Sequence, residues 1–141
     1  MNHDIENKRL QVFGRFAKDL ATLSKCTERH VAAIIVDRDL TQVLSIGING
    51  GPKGLADCLC TLGGKTSCVH AEINALTKDT STIAGKILIC TLSPCPTCAA
   101  TIINAPYKFS AVYYLEAWKN DTGIKMLKQA GIKCLPLKLD N

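Results

Sequence analysis

A chain of 141 residues that is 47% hydrophobic and 21% charged can bury one sizeable core and is too apolar to stay disordered. Its net charge of +5 suits a phosphate-bearing small molecule and would also fit nucleic acid, but it is scattered rather than gathered into a basic arm, which argues mildly against the latter. No apolar run approaches the ~20 residues that span a bilayer, and the charged opening 1–9 lacks an apolar signal core, so one domain over 1–141 in the cytoplasm is expected.

Residues 5–24 read as a helix, with Asp4 as N-cap and Val12, Phe13, Phe16, Leu20 and Leu23 recurring every three or four positions. A polar loop over 24–30 follows. Val31–Val36 reads as a strand buried on both faces, Asp37–Asp39 as a turn, and Val43–Ile48 as a second strand able to form a hairpin with the first. Residues 50–66 lack periodicity, and a loop of that length in a compact domain is usually functional.

His70 to about Lys78 reads as a helix, and Lys86–Cys90 as a third strand. Ser93 is the expected cap of the next helix, with Pro94 at its first position and its end before Pro106. Phe109–Leu115 is a fourth strand. Asn120 or Asp121 caps a last helix that Gly131 ends, and Ile132–Leu135 is a short final strand. A leading hairpin followed by alternating strands and helices predicts an α/β sandwich, with one mixed sheet covered by helices on both faces.

The chain holds eight cysteines, many for a protein in a reducing compartment, where metal binding is the better explanation than disulfides. Cys90 and Cys134 lie in apolar strands and read as small buried hydrophobes. Cys95 and Cys98 stand three apart at the start of a helix, where the dipole favours thiolate. Alone, that pair fits a redox motif or half of a structural zinc site equally well. His70 adds a third ligand at another helix start. Glu72, two residues on, is left beside the metal rather than on it. Three ligands with an open fourth position, plus a free carboxylate, is the donor set of a catalytic zinc. Cys68, two residues before His70, could close that position and silence the site.

His70-Ala71-Glu72-Ile73-Asn74-Ala75 with Ser93-Pro94-Cys95-Pro96-Thr97-Cys98 resembles the zinc motifs of the cytidine/deoxycytidylate deaminase superfamily, more closely its deoxycytidylate branch of phage and bacterial type. Ser24-Lys25-Cys26 with Arg29, the strand Val31–Val36, and Gly47-Ile48-Asn49-Gly50 resemble further family segments, so the likeness covers roughly residues 5–135. It implies a cytidine deaminase-like fold, a three-layer α/β/α sandwich around a five-stranded mixed sheet. It implies zinc-dependent hydrolysis of dCMP to dUMP and ammonia, with Zn²⁺ on His70, Cys95 and Cys98 and with Glu72 moving protons.

The resemblance further implies that Asn49 meets the sugar, that the peptide groups of Ala71 and Ser93 read the cytosine edge, and that Ser24, Lys25 and Arg29 lie near the phosphate. An aromatic from Tyr113, Tyr114 or Trp118 would pack on the substrate. Relatives imply a homo-oligomer, a hexamer, regulated by dCTP and dTTP with Mg²⁺ at a site around Ile48, Asn49 and Gly50. Ile48 replaces the tyrosine of the family pattern there. A second, structural zinc in some relatives directs attention to Cys26, Cys58, Cys60 and Cys68, which could form a closed four-thiolate site. The alternatives are a deaminase acting on a base in tRNA or single-stranded nucleic acid, which needs a basic groove, and a non-catalytic zinc-binding interaction domain, in which Glu72 has no task.

Overall fold

The structure, a computed structural model, describes residues 1–60 and 68–140. Its elements run α1 (His3–Ala21), β1 (Ala32–Val36), β2 (Val43–Ile48), α2 (Ala71–Lys78), β3 (Ile87–Leu92), α3 (Pro96–Ile103), β4 (Ala111–Glu116), α4 (Thr122–Gln129) and β5 (Lys133–Pro136). The strands form one mixed sheet in the order β2-β1-β3-β4-β5. β1 pairs antiparallel with β2 and β3, whereas β3, β4 and β5 are mutually parallel.

Alternation along the strands builds two cores. Ala32, Ile34, Val36, Ile87 and Ile89 face α1, while Ala33, Ile35, Leu88 and Cys90 face α2, α3 and α4. Every β1 side chain is buried, as its unbroken apolar run predicts. Cys90 and Cys134 are buried strand residues, also as expected. Tyr113 and Tyr114 belong to the two cores.

Several ends differ from the sequence reading. Asn2, not Asp4, caps α1, its Oδ1 accepting the Ile5 N–H at 2.9 Å, and the helix stops at Ala21. The apolar spacing of α1 also mixes two faces. Leu10, Ala17 and Leu20 pack on the sheet with Phe13, whereas Val12, Phe16 and Leu23 are exposed. Cys95 rather than Ser93 caps α3, because its sulfur accepts the Cys98 N–H at 3.5 Å, and Pro96 rather than Pro94 opens the helix. Ser93 Oγ instead accepts the Trp118 N–H at 2.7 Å. Asp121 caps α4, and Gly131, at φ 81°, ends it with N–H bonds from Gly131 to Lys128 and from Ile132 to Leu127.

Two features fix α2 and α3, the helices that carry the paired motifs. Gly47 of β2 lies so close to α2 that a Cβ there would meet the Ala71 carbonyl oxygen at 2.3 Å, and one on Gly123 would meet the Pro94 carbonyl oxygen at 2.1 Å. At the far end of α2, Lys86 Nζ bonds Asp79 Oδ2 at 2.6 Å with both side chains buried. Burial alone would raise the Asp79 carboxyl, but its bonds with Lys86 and Ser81 outweigh that and hold it below the usual range. Among the described residues no helix is long and apolar enough to cross a membrane.

Candidate active site

β3 runs into Ser93 and Pro94 and delivers Cys95 at the head of α3, while His70 stands at the head of α2. Ligands of open α/β sheets gather at such strand ends. His70 is the N-cap residue of α2 with extended backbone, and its side chain makes no capping bond, which leaves the imidazole free to act elsewhere. Its Nδ1 lies 3.2 Å from Cys98 Sγ and 3.5 Å from Cys95 Sγ. Tetrahedral zinc with its usual bond lengths sets N and S ligands ~3.5 Å apart and two sulfurs ~3.8 Å apart. The three donor atoms lie within 4.8 Å of one another, so the set fits that ion.

The chemistry of the donors agrees. The Cys95 thiol is pushed down to about 4, first by the hydrogen bond that the Cys98 thiol donates to it and further by its bond with His70. Donation to the Cys95 sulfur raises Cys98 in turn, and the Cys95 thiolate raises His70. The proton left on the Cys98 thiol is the one a metal displaces on binding. Glu72 lies one residue into α2, is 4% exposed, and has its carboxyl raised by burial.

A cavity of about 340 Å³ adjoins these groups. Glu72, His70 and Cys95 line it together with Asn49, Ala71 and Ser93, which the sequence reading also places at the substrate. Arg29 lines it too, but Lys25 does not: Lys25 lines a second cavity and pairs with Asp57 at 3.5 Å. Ser24 is buried and bonds Asn49 Oδ1 at 2.6 Å, away from the cavity surface. Of the expected phosphate group, only Arg29 therefore reaches the first cavity. Trp118 is the aromatic that borders it. Lys119 and Glu28 border it as well, and no spacing or motif announced them, because the 117–121 loop arrives through the Ser93–Trp118 bond.

Asn49 borders both cavities. Its Oδ1 accepts from Ser24 and from the Val31 N–H, and its Nδ2 donates to the Arg29 carbonyl at 2.8 Å. Ile48 and Gly50 line the second cavity with it, as do Lys25 and Lys53.

Cys68 does not join His70. Its sulfur stands 3.6 Å from Cys58 and 3.7 Å from Cys60, and Cys26 stands 3.6 Å from Cys60 and 3.9 Å from Cys58. Those separations match the ~3.8 Å edges of a tetrahedral four-sulfur zinc site. Backbone N–H groups of Thr27, Glu28 and Leu59 point at three of the sulfurs. The Thr27 N–H is the main reason that Cys58 is pushed down to about 6. The expected loop over 50–66 falls partly outside the described residues.

The cytidine and deoxycytidylate deaminase zinc-binding region matches residues 7–116, a span that holds both ligand-bearing motifs. The chain belongs to this deaminase family. The cyanophage S-TIM5 dCMP deaminase, whose crystal structure contains dCMP and dUMP, superposes with a TM-score of 0.82 at 31% identity, over 96% of this chain and 98% of that one. That match shows the cytidine deaminase-like fold. Among curated deaminase relatives, the deoxycytidylate deaminase of Saccharomyces cerevisiae is 32% identical over 134 residues, 85% of this chain and 42% of its own. The probable deoxycytidylate deaminase of Caenorhabditis elegans is 34% identical over 117 residues, 77% of this chain and 58% of its own. The chain thus spans about half the length of these two relatives.

Proposed function

We propose that this deaminase hydrolyses dCMP to dUMP and ammonia. The observation that carries the reading is the buried Glu72 carboxyl, raised by its surroundings, in a cavity it shares with His70 and Cys95 of the three-donor His70, Cys95 and Cys98 set. The likeness to the cyanophage dCMP deaminase over nearly the full length of both chains supports the choice of nucleotide.

His70, Cys95 and Cys98 would hold Zn²⁺, which when bound activates water as a nucleophile near neutral pH. Glu72 moves the protons. Its burial raises the carboxyl, the direction that makes it a better proton acceptor. It takes a proton from the attacking water, gives one to ring N3, and passes one to the departing amino group. The C4–N bond breaks, C4 keeps the water oxygen, and ammonia leaves. The peptide groups of Ala71 and Ser93 read the cytosine edge, and Asn49 meets the sugar. Arg29 and Lys119 supply positive charge for the 5′-phosphate, and Trp118 packs on the substrate.

The same reading gives Cys26, Cys58, Cys60 and Cys68 a second, structural zinc that joins the 24–28 loop to the chain around 58–68. The second cavity, with Ile48, Asn49, Gly50, Lys25 and Lys53, takes a regulatory nucleotide of the dCTP or dTTP type with Mg²⁺. The working form is a homo-oligomer, a hexamer, in the cytoplasm. The test offers the zinc-loaded protein cytidine, deoxycytidine, CMP, dCMP and a single-stranded oligonucleotide and follows ammonia. Turnover of dCMP above the others is the expected result. Preference for the unphosphorylated nucleoside removes the role given to Arg29 and Lys119, and preference for the oligonucleotide removes the substrate.

A further inference from the structure

The outer face of α1 carries an apolar stripe that nothing in the fold explains. Ile5, Val12, Phe16 and Leu23 are 42%, 52%, 40% and 62% exposed. At about 100° per residue they fall within about 20° of one line, on an exposed flank about 100° round the helix from the side that Leu10, Ala17 and Leu20 turn to the sheet. Leu23 lies just past the cap residue Thr22, whose backbone is still helical, so the line continues through it. The inner face of the same helix is fully engaged, through Leu10, Ala17 and Leu20 on the sheet and through Gly14 against Leu137 and Leu139. Arg9, the cation nearest one edge of the stripe, is drawn off by the Asp39 carbonyl, which accepts from its Nη1 at 2.9 Å.

Along the other edge stand Lys8 near one end and Asp19 near the other, about 20° apart around the helix. This spacing is self-complementary. Residue 14 is the midpoint of both Ile5 with Leu23 and Val12 with Phe16. An antiparallel second copy related by a two-fold axis at that point lays each apolar residue against its counterpart and brings Lys8 of each copy beside Asp19 of the other. In a parallel copy related by a two-fold axis along the helices, the edge with Lys8 and Asp19 would lie on opposite sides of the seam in the two copies, and the two charges would miss each other. Closed two-fold pairing through one patch is the commonest way for copies of a chain to associate.

We propose that the outer face of α1 is a two-fold interface with a second copy of this chain, the two helices antiparallel. The proposal rests on the homo-oligomer reading and adds to it the surface and the register. Sedimentation velocity of the zinc-loaded full chain tests it. Phe16→Lys is expected to halve the assembled mass. Asp19→Lys alone is expected to weaken assembly by about 10-fold through like-charge contacts, and Lys8→Glu with Asp19→Lys in one chain to restore it, because the swapped charges again oppose. The charge variants leave the apolar residues untouched, so they stay informative if Phe16→Lys unfolds, which far-ultraviolet circular dichroism reports. An assembly that keeps its mass with Phe16→Lys overturns the proposal and leaves the homo-oligomer reading standing. A monomeric parent overturns both. A single charge reversal without effect, or a double reversal that fails to restore assembly, overturns the antiparallel register.

Discussion

Lys86 closes on Asp79 at 2.6 Å with both side chains withdrawn from water, and the pair joins the end of α2 to the residue just before β3. Ser81 donates to the same carboxylate at 2.7 Å. The pair therefore braces the two elements whose opposite ends carry His70 and lead to Cys95.

Removing one partner leaves a buried charge uncompensated, which costs about 3 kcal/mol or more. Asp79→Asn should lower unfolding stability by that amount in urea at neutral pH. Asp79 has its folded carboxyl below the ordinary value of 3.8, so its stabilisation is present above that pH and fades as pH falls through the lower folded value. The parent should therefore lose more stability between pH 5 and pH 3 than Asp79→Asn does.

Glu72→Gln keeps the size of the side chain and removes the proton acceptor. Deamination should fall by about 10³-fold, the usual reach of general acid–base catalysis. Zinc bound per chain, measured by mass spectrometry of the metal, should stay at the parent value. A fall in zinc would instead make Glu72 a ligand.

Cys60→Ser opens the four-sulfur cluster. Zinc should drop from two per chain to one, with the ion at His70, Cys95 and Cys98 retained. Cys26, Cys60 and Cys68 border the first cavity beside Arg29, so on the proposed reading KM for dCMP should rise more than kcat falls. A parent with one zinc per chain would remove the structural ion from the picture.

Gly47→Ala and Gly123→Ala push a methyl group into backbone at 2.3 Å and 2.1 Å, where no rotamer change gives relief. Overpacking of this kind costs about 1–3 kcal/mol. Each change should also displace a ligand-bearing segment, so zinc affinity and kcat should fall together, whereas Gly54→Ala, which meets nothing within 4 Å but is strained by its φ of 82°, should affect stability alone.

The order of strands and helices was legible because the central strands are continuous apolar runs, as in Ile34-Ile35-Val36 and Ile87-Leu88-Ile89, and turn residues separate them from their neighbours. The candidate donors were legible because Cys95 and Cys98 stand three apart and His70 carries a carboxylate, Glu72, two residues on. What stayed hidden depends on contacts between distant segments. Cys95 rather than Ser93 is the cap, and the Ser93 hydroxyl accepts instead from the distant Trp118 N–H. The need for glycine at 47 and 123 exists only once β2 meets α2 and α4 meets Pro94. Lys119 and Glu28 reach the cavity on loops without periodicity, and Lys25, expected near the phosphate, lines the other cavity, where it meets the distant Asp57. Along α1 the apolar spacing was visible, but one period described two faces.

Asn49 sits between the two cavities with its amide already bonded to Ser24, Val31 and Arg29. A side chain held by three partners and bordering both cavities is placed to feel an occupant of either. Linkage then runs both ways: whatever factor an occupant of the second cavity applies to substrate affinity, the substrate applies to that occupant in return.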